Sequence, residues 1–296
     1  MLSLADIAAM PPPMLRRALP RWAASHVDPG IADAVGSGIE GALLALPDAD
    51  LVDLMRGYAA LGEGWAFYEA HPVARALMRI LMDSVVPEAE IVGAGHLEAF
   101  VAGGPARRLL VCNHLSYVDT QVTDIVLARG GYRGLADRLV AVAGPKVYTD
   151  AWRRLAALGL NTRKTVQSAA VATEQDALPP RELAAIARDT LTECESLMDR
   201  GYVVLLYPEG TRSRDGRLQP FLRAVGRYLS AEGVRVLPLA QTGTEAVFPR
   251  DATQMRPRPV RLAFGPPLAP GSNRDEGLAR AHAAVAAGLP EGYRPA

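Results

Sequence analysis

Two polar clusters, each placed where an apolar run stops, hold the side chains best suited to chemistry. The first is Asn113-His114-Leu115-Ser116-Tyr117-Val118-Asp119. A histidine with a carboxylate five residues on is the base-and-orienter half of a proton relay. Asp119 in the first turn of a following helix can fix the imidazole tautomer and stabilise the imidazolium formed when His114 takes a proton. The same letters also spell S-x-x-D, a capping box in which Asp119 only closes a helix turn. The second cluster is Tyr207-Pro208-Glu209-Gly210-Thr211-Arg212-Ser213. Pro208 and Gly210 make a turn, Gly210 lets a substrate approach the backbone, Arg212 offers a planar fork for phosphate or carboxylate, and Thr211 and Ser213 add hydroxyls. The other histidines (His26, His71, His96, His282) have no comparable surroundings.

Both clusters need a rigid frame. Short apolar runs over 109–112, 139–143, 202–207, 234–240 and 260–264 read as buried strands, and the segments 120–128, 151–158, 181–199 and 218–231 read as helices. Strands alternating with helices predict an α/β layer architecture, with a mixed sheet between flanking helices. A histidine or arginine at a strand's C-terminal edge then lies where such sheets bind ligands. The first 75 residues differ: Pro11 to Pro13, Pro20, Asp28-Pro29-Gly30 and Leu46-Pro47-Asp48 interrupt Ala/Leu-rich helical segments, with no strand-like alternation. The expected organisation is a small all-helical N-terminal domain over 1–75 and an α/β catalytic domain over 76–296. Pro179-Pro180 is expected to end an insertion over 168–178, and the Pro/Gly/Ala-rich tail to wrap the surface.

Of the 296 residues, 32 are Lys or Arg and 32 Asp or Glu, so the formal charge is zero, against a dedicated nucleic-acid binder. The sum hides a division along the chain. Residues 100–165 hold 10 bases against 4 acids and 201–261 hold 10 against 5, and these two segments contain the motifs. Thirty of the bases are arginine; the two lysines, Lys146 and Lys164, fall within nineteen residues of each other. Two cysteines, Cys112 and Cys194, support neither a disulfide framework nor a Cys-rich zinc site. Neither H-x-x-x-H nor C-x-x-C occurs, and no metal site is expected. Gly36-Ser-Gly-Ile-Glu-Gly matches the dinucleotide fingerprint, but no strand precedes it. No window approaches the ~18 apolar residues of a membrane span, and the first residues lack the features of a signal peptide. Cytoplasmic residence is expected, with peripheral contact at the inner membrane face compatible with it.

N-H-x-S-x-x-D followed some ninety residues later by [FY]-P-E-G-T-R-S resembles the glycerolipid acyltransferase superfamily, the PlsC-like group of glycerol-3-phosphate and 1-acylglycerol-3-phosphate acyltransferases. Three further stretches resemble it: Glu90-Ile-Val-Gly-Ala-Gly-His-Leu-Glu as a lead-in strand, Val236-Leu-Pro-Leu-Ala-Gln-Thr-Gly-Thr as the fourth block, and Arg261-Leu-Ala-Phe-Gly-Pro-Pro-Leu as a closing strand. The resemblance covers roughly 85–270 and implies a glycerol-3-phosphate acyltransferase-like fold.

It implies transfer of a fatty acyl group from acyl-CoA or acyl carrier protein, as co-substrate rather than bound cofactor, to a hydroxyl of glycerol 3-phosphate or lysophosphatidate. His114 would be the general base and Asp119 its orienter. The acceptor oxygen would attack the thioester directly, and no G-x-S-x-G nucleophile elbow occurs in the chain. Glu209 and Gly210 would help position the acceptor, Arg212 would bind its phosphate, Arg163 would be the second block's phosphate ligand with Lys164 and Lys146 nearby, and Pro238 would shape a pocket. The chain departs from the family on the acceptor side: Asn161-Thr162 stands where bulky apolar residues are usual, and Phe221-Leu-Arg-Ala lacks a customary glycine. An acceptor that is a specialised metabolite or tethered to a carrier protein therefore stays open, as does a non-catalytic lipid- or carrier-binding module on this fold.

Overall fold

The computed structural model describes residues 9–104, 106–167, 178–269 and 273–295. At its centre is an eight-stranded sheet: β1 (Phe67–Tyr68), β2 (Ala89–Val92), β3 (Arg107–Cys112), β4 (Leu139–Ala143), β5 (Asn161–Lys164), β6 (Val203–Leu206), β7 (Val234–Thr242) and β8 (Val260–Phe264). Their spatial order is β1-β5-β4-β6-β3-β7-β8-β2. The five strands from β5 to β7 are mutually parallel, whereas β1 runs antiparallel to β5 and β8 antiparallel to β7. The sheet is thus mixed, and the edge strands β1 and β2 have two and four residues.

Helices cover both faces, which is why the central strands read as continuous apolar runs. Successive strand residues point to opposite sides. Leu110, Cys112, Val203, Leu205, Leu237 and Leu239 join one apolar cluster, and Leu109, Val111, Val204, Leu206, Val236 and Ala240 join the other. The first cluster contains buried residues of α1 (Pro12–Ser25), α2 (Pro29–Leu44), α3 (Asp48–Ala60), α4 (Pro72–Val85), α5 (Ala94–Ala102), α6 (Asp119–Arg129) and α7 (Ala151–Leu158). The second is closed by α8 (Pro180–Asp199) and α9 (Arg274–Gly288).

The N-terminal helices share the sheet's core: Leu15, Ile39, Leu54 and Tyr58 belong to the same cluster as Leu205 and Leu237. The boundary expected between residues 75 and 76 falls inside α4, and the segment before it contributes β1, a strand that pattern reading did not anticipate. Two residues are too few to show alternation. Arg154 ties this region to α7. It donates from Nε to the Tyr58 carbonyl (2.7 Å), from Nη1 to that of Tyr148 (3.0 Å) and from Nη2 to that of Ala59 (2.5 Å), satisfying carbonyls at the C-terminal end of α3.

Two other expectations change. The segment 218–231 is helical only over Arg223–Val225 and Gly226–Leu229; the Leu222 N–H, which a helix from Leu218 would turn to the Leu218 carbonyl, donates to the Pro208 carbonyl instead (2.8 Å). The tail forms α9, capped by Asn273 accepting from the Glu276 N–H, with Leu278, Ala281 and Val285 buried on the sheet. The expected insertion lies almost wholly outside the described residues. Pro238 sits inside β7 opposite Val111. There the pairing with the following segment slips by one residue, from Leu239↔Phe264 to Val236↔Leu268, and Gly265 donates to the Pro238 carbonyl. A proline lacks the N–H that an unbroken ladder needs, and a bulge absorbs the deficit.

Candidate active site

The loops following β3 and β6 meet at the C-terminal edge of the parallel strands. These strands are direct neighbours, with Val111 opposite Leu206, so His114 and the Tyr207–Arg212 turn emerge side by side. Backbone bonds clasp them in both directions. The His114 N–H donates to Glu209 Oε1 (2.6 Å), and the Ser213 N–H donates to the His114 carbonyl (2.8 Å).

His114 Nδ1 lies 2.8 Å from Asp119 Oδ2. The same carboxylate accepts from the Leu115 N–H at 2.7 Å and from the Ser116 N–H at 3.0 Å to each oxygen. Asp119 therefore both orients the imidazole and satisfies backbone donors ahead of α6. Ser116 does not complete the box, because its hydroxyl donates to the Phe248 carbonyl (2.8 Å). With two backbone N–H groups, those of Leu115 and Ser116, already directed at it, the 1%-exposed carboxylate acts as an acceptor, so Nδ1 carries the proton and Nε2 is left as the basic nitrogen. The ring stacks on Tyr207 at a centroid distance of 4.4 Å, and the Tyr207 hydroxyl bonds to that of Thr120 (2.9 Å). Burial raises the Tyr207 pKa, keeping that hydroxyl neutral.

Glu209 is buried, and its second oxygen accepts from the Gln219 N–H at 2.9 Å. Both oxygens face backbone amides, so this carboxylate fixes the histidine loop. Burial pushes its pKa up to about 7, against the two N–H bonds, which favour ionisation. Gly210 takes φ +69°, the left-handed conformation expected of the turn, and its carbonyl accepts from Gln167 Nε2 (3.0 Å). Thr211 is exposed. Ser213 spends its hydroxyl inside the turn, on the Arg217 carbonyl (2.7 Å) and Asp215 (3.0 Å).

Arg212 places its guanidinium carbon 3.6 Å from the centre of the Tyr117 ring. Desolvation lowers its pKa. Among the described residues no carboxylate lies within ion-pairing distance of it.

The three other expected cations are placed elsewhere. Arg163 in β5 is 2% exposed, forms an ion pair with Glu193 of α8 and donates to the Lys164 carbonyl. Lys164 donates to the Gly62 carbonyl (2.5 Å) and stands 4.7 Å from the Trp65 ring, anchoring the N-terminal segment. Both therefore act as struts, against the expectation that they bind phosphate. β5 is three strands from β3, about 14 Å at ordinary strand spacing. Lys146 is half-buried on the turn Pro145–Tyr148 after β4, two strands from β3 on the same edge.

Several contributors were given no role by the sequence, although Gln241 lies within the stretch resembling the fourth block and Tyr117 within the first cluster. Gln241 of β7, fully buried, donates from Nε2 to the Asp119 carbonyl (3.1 Å) and exchanges two bonds with Asn113: its N–H to Asn113 Oδ1 (2.8 Å), and Asn113 Nδ2 to its carbonyl (2.9 Å). Tyr117 and Arg153 also flank the site: the Arg153 guanidinium carbon lies 4.7 Å from the Tyr117 ring centre. The β3–β7 pairing reveals the role of Gln241, and the placement of α7 reveals Arg153. Among the described residues no group of three or more His, Cys, Asp or Glu is arranged to hold a metal.

Comparison with known proteins places this geometry in a family. A family model described as Acyltransferase matches residues 96–242, a span that includes both clasped loops. A 1-acyl-sn-glycerol-3-phosphate acyltransferase of Chlamydomonas reinhardtii is 35% identical over 101 residues, covering 34% of this chain and 30% of that protein. A chloroplastic enzyme of the same name from Brassica napus is 41% identical over 61 residues, 21% of this chain and 18% of that protein. One from Limnanthes douglasii is 31% identical over 72 residues, 24% and 26% respectively. The aligned stretch thus spans under a third of each of these relatives. The crystal structure of the 1-acyl-sn-glycerophosphate acyltransferase PlsC from Thermotoga maritima superposes with a TM-score of 0.49 at 15% identity, covering 93% of this chain and 96% of that one. Residues 96–242, with the two motifs seated within them, thus match the Acyltransferase family, and the chain is similar there to PlsC-like glycerolipid acyltransferases.

Proposed function

We propose that the protein transfers a fatty acyl group from a thioester, acyl-CoA or acyl carrier protein, to a hydroxyl of a glycerophosphate acceptor such as glycerol 3-phosphate or lysophosphatidate. The observation that carries this reading is the 2.8 Å contact between His114 Nδ1 and Asp119 on a loop clasped to the Arg212 turn. Nε2 accepts the acceptor hydroxyl's proton as the oxygen attacks the thioester carbonyl. The tetrahedral intermediate collapses with cleavage of the C–S bond, and the imidazolium returns its proton to the departing thiolate. Asp119 stabilises the imidazolium between the two transfers. Arg212 supplies an unpaired cation for the acceptor's phosphate. The names of the algal and plant relatives support the glycerophosphate acceptor.

Among the described residues no helix is long and apolar enough to cross a membrane. The test is mass spectrometry of products from a donor-by-acceptor matrix. It pairs acyl-CoA and acyl carrier protein with glycerol 3-phosphate, lysophosphatidate, monoacylglycerol and carrier-tethered hydroxyls. New ester on a phosphorylated acceptor, absent in His114→Ala, supports the reading. Thioester consumption unchanged in His114→Ala overturns the mechanism, and product only on the other hydroxyls overturns the acceptor.

A further inference from the structure

A single residue of β7 touches both ends of the segment that carries the His114–Asp119 relay. That segment leaves the sheet after Cys112↔Leu239, the last register pair of β3 with β7. Beyond it the Asn113 carboxamide stands in for the next peptide unit, accepting the Gln241 N–H (2.8 Å) and donating to the Gln241 carbonyl (2.9 Å). A side chain thus completes the ladder while the main chain turns away with His114. At the far end Asp119 opens α6, and Val118 before it has no side chain able to cap the helix. Helix termini are the first parts of a helix to open. The Asp119 carbonyl is held from within α6 by the Thr123 hydroxyl (2.9 Å) and from outside it by Gln241 Nε2 (3.1 Å). The Gln241 carboxamide can take only this orientation. A carbonyl accepts and never donates, so the nitrogen faces Asp119 and the oxygen faces Cys112 Sγ at 3.6 Å. Gln241 is fully buried, and a carboxamide left idle there would cost its desolvation without return.

We propose that Gln241 is a positioning residue of the proton relay: its main chain fixes Asn113, its side chain fixes Asp119, and β7 thereby sets the separation of imidazole and carboxylate. The kinetic part of this inference rests on the acyl-transfer reading, whereas the geometry belongs to the resting protein. The Leu115 and Ser116 bonds to the Asp119 carboxylate lie within the segment and move with it. The bonds to Gln241 instead refer the segment to the sheet, and the loop after β7 adds another, from the Ser116 hydroxyl to the Phe248 carbonyl. The relay works only while Nδ1–H meets the carboxylate through both proton transfers. A displacement of about 1 Å along the 2.8 Å contact carries it beyond hydrogen-bonding distance.

Gln241→Met keeps the length of the side chain and both main-chain bonds to Asn113, and removes the donor to Asp119. In isotope-labelled protein without substrate, the His114 Nδ1–H signal is assigned by its absence in His114→Ala. Its exchange with water should be about 3- to 10-fold faster in Gln241→Met, the size of one hydrogen bond. In the acyl-transfer assay kcat should fall by a similar factor, with KM for donor and acceptor within about two-fold. An Asp119→Asn background separates positioning from general loosening. There Gln241→Met should leave kcat within about two-fold, since no carboxylate remains to be aligned, whereas mere loss of folded enzyme would multiply the two effects. A measurement on the unsubstituted protein guards against a variant that does not fold. The Gln241 carboxamide protons and His114 Nδ1–H should exchange through one opening, their rates rising with the same slope along a urea series below the unfolding transition. Different slopes, unchanged exchange together with unchanged kcat, or a kcat loss that persists in full beside Asp119→Asn each overturn the proposal. Faster exchange in Gln241→Met of a protein whose wild type transfers no acyl group supports the positioning and overturns only the acyl-transfer reading.

Discussion

Asp119 holds three N–H donors at once, and their loss would be felt unequally. Replacing it with Asn keeps the volume but turns one oxygen into a donor that faces backbone N–H groups, and removes the charge opposite the imidazolium. Asp119→Asn is therefore expected to lower kcat about 10²- to 10⁴-fold, the range for losing base function, and to cost roughly 1–3 kcal/mol of stability for the orphaned donors. Steady-state kinetics and denaturant unfolding check the two effects separately. His114→Ala should lower kcat by about 10³-fold or more with a much smaller loss of stability, because among the described residues the His114 side chain is bonded to Asp119 alone and stacked on Tyr207.

Glu209 gives a pH signature. Its folded pKa of about 7 lies above the ordinary glutamate value of 4.5, so its protonated form is favoured by folding. The associated stability is fully present below pH 4.5 and is lost as pH rises through about 7. Glu209→Gln, which cannot ionise, should flatten the decline in unfolding free energy between pH 5 and pH 8 relative to the wild type. An identical slope in the two proteins would refute the assignment. At this scale the sequence was legible where a motif is continuous. His114, Asp119, Glu209 and Arg212 stand together as their spacing implies, since each pair sits on one loop. Gln241 and Arg153 were not legible, because their approach depends on strands and helices far apart in the chain.

The element scale explains why Arg163 and Lys164 are placed away from the His114 loop. A cationic pair in a basic segment invites a phosphate, but β5 lies between a face covered by α8 and an edge closed by β1. Alternation sends the Arg163 side chain to Glu193 and the Lys164 side chain to Trp65. Glu193→Gln leaves the buried guanidinium without its counter-charge. The expected loss is roughly 2 kcal/mol in denaturant unfolding, below the cost of breaking a fully buried pair because Glu193 is 38% exposed. KM for a phosphorylated acceptor should not move. The strands β3, β4, β6, β7 and β8 were legible as apolar runs, and α6 to α8 as periodic segments. The helix α9 was not, since its alanines and glycines give little contrast between faces.

For the whole molecule, the shared core has a consequence for folding units. The same apolar cluster runs from Leu15 through Leu81 to Leu237, and Arg154 spans α3 and α7. Deleting residues 1–71 should strip the sheet face covered by α1–α3 and give aggregated or unfolded protein. The intact chain should melt in one transition seen alike by near- and far-ultraviolet circular dichroism. Two separated transitions would restore an independent N-terminal domain. The neutral net charge is also a whole-molecule sum with local structure: the acids of α8 neutralise structural arginines (Glu193 with Arg163, Glu195 with Arg107), while Arg212 has no carboxylate within ion-pairing distance among the described residues.

The two short edge strands bear on self-association. A sheet recruits a second chain through a long row of unpaired N–H and C=O groups at its border. Here one border is a two-residue strand and the other a four-residue strand running into Gly93 at φ +75°. Neither presents enough ladder to template another copy. The parallel interior, with its high content of β-branched and leucine side chains, is thus sealed against the cross-chain stacking that such segments would otherwise nucleate.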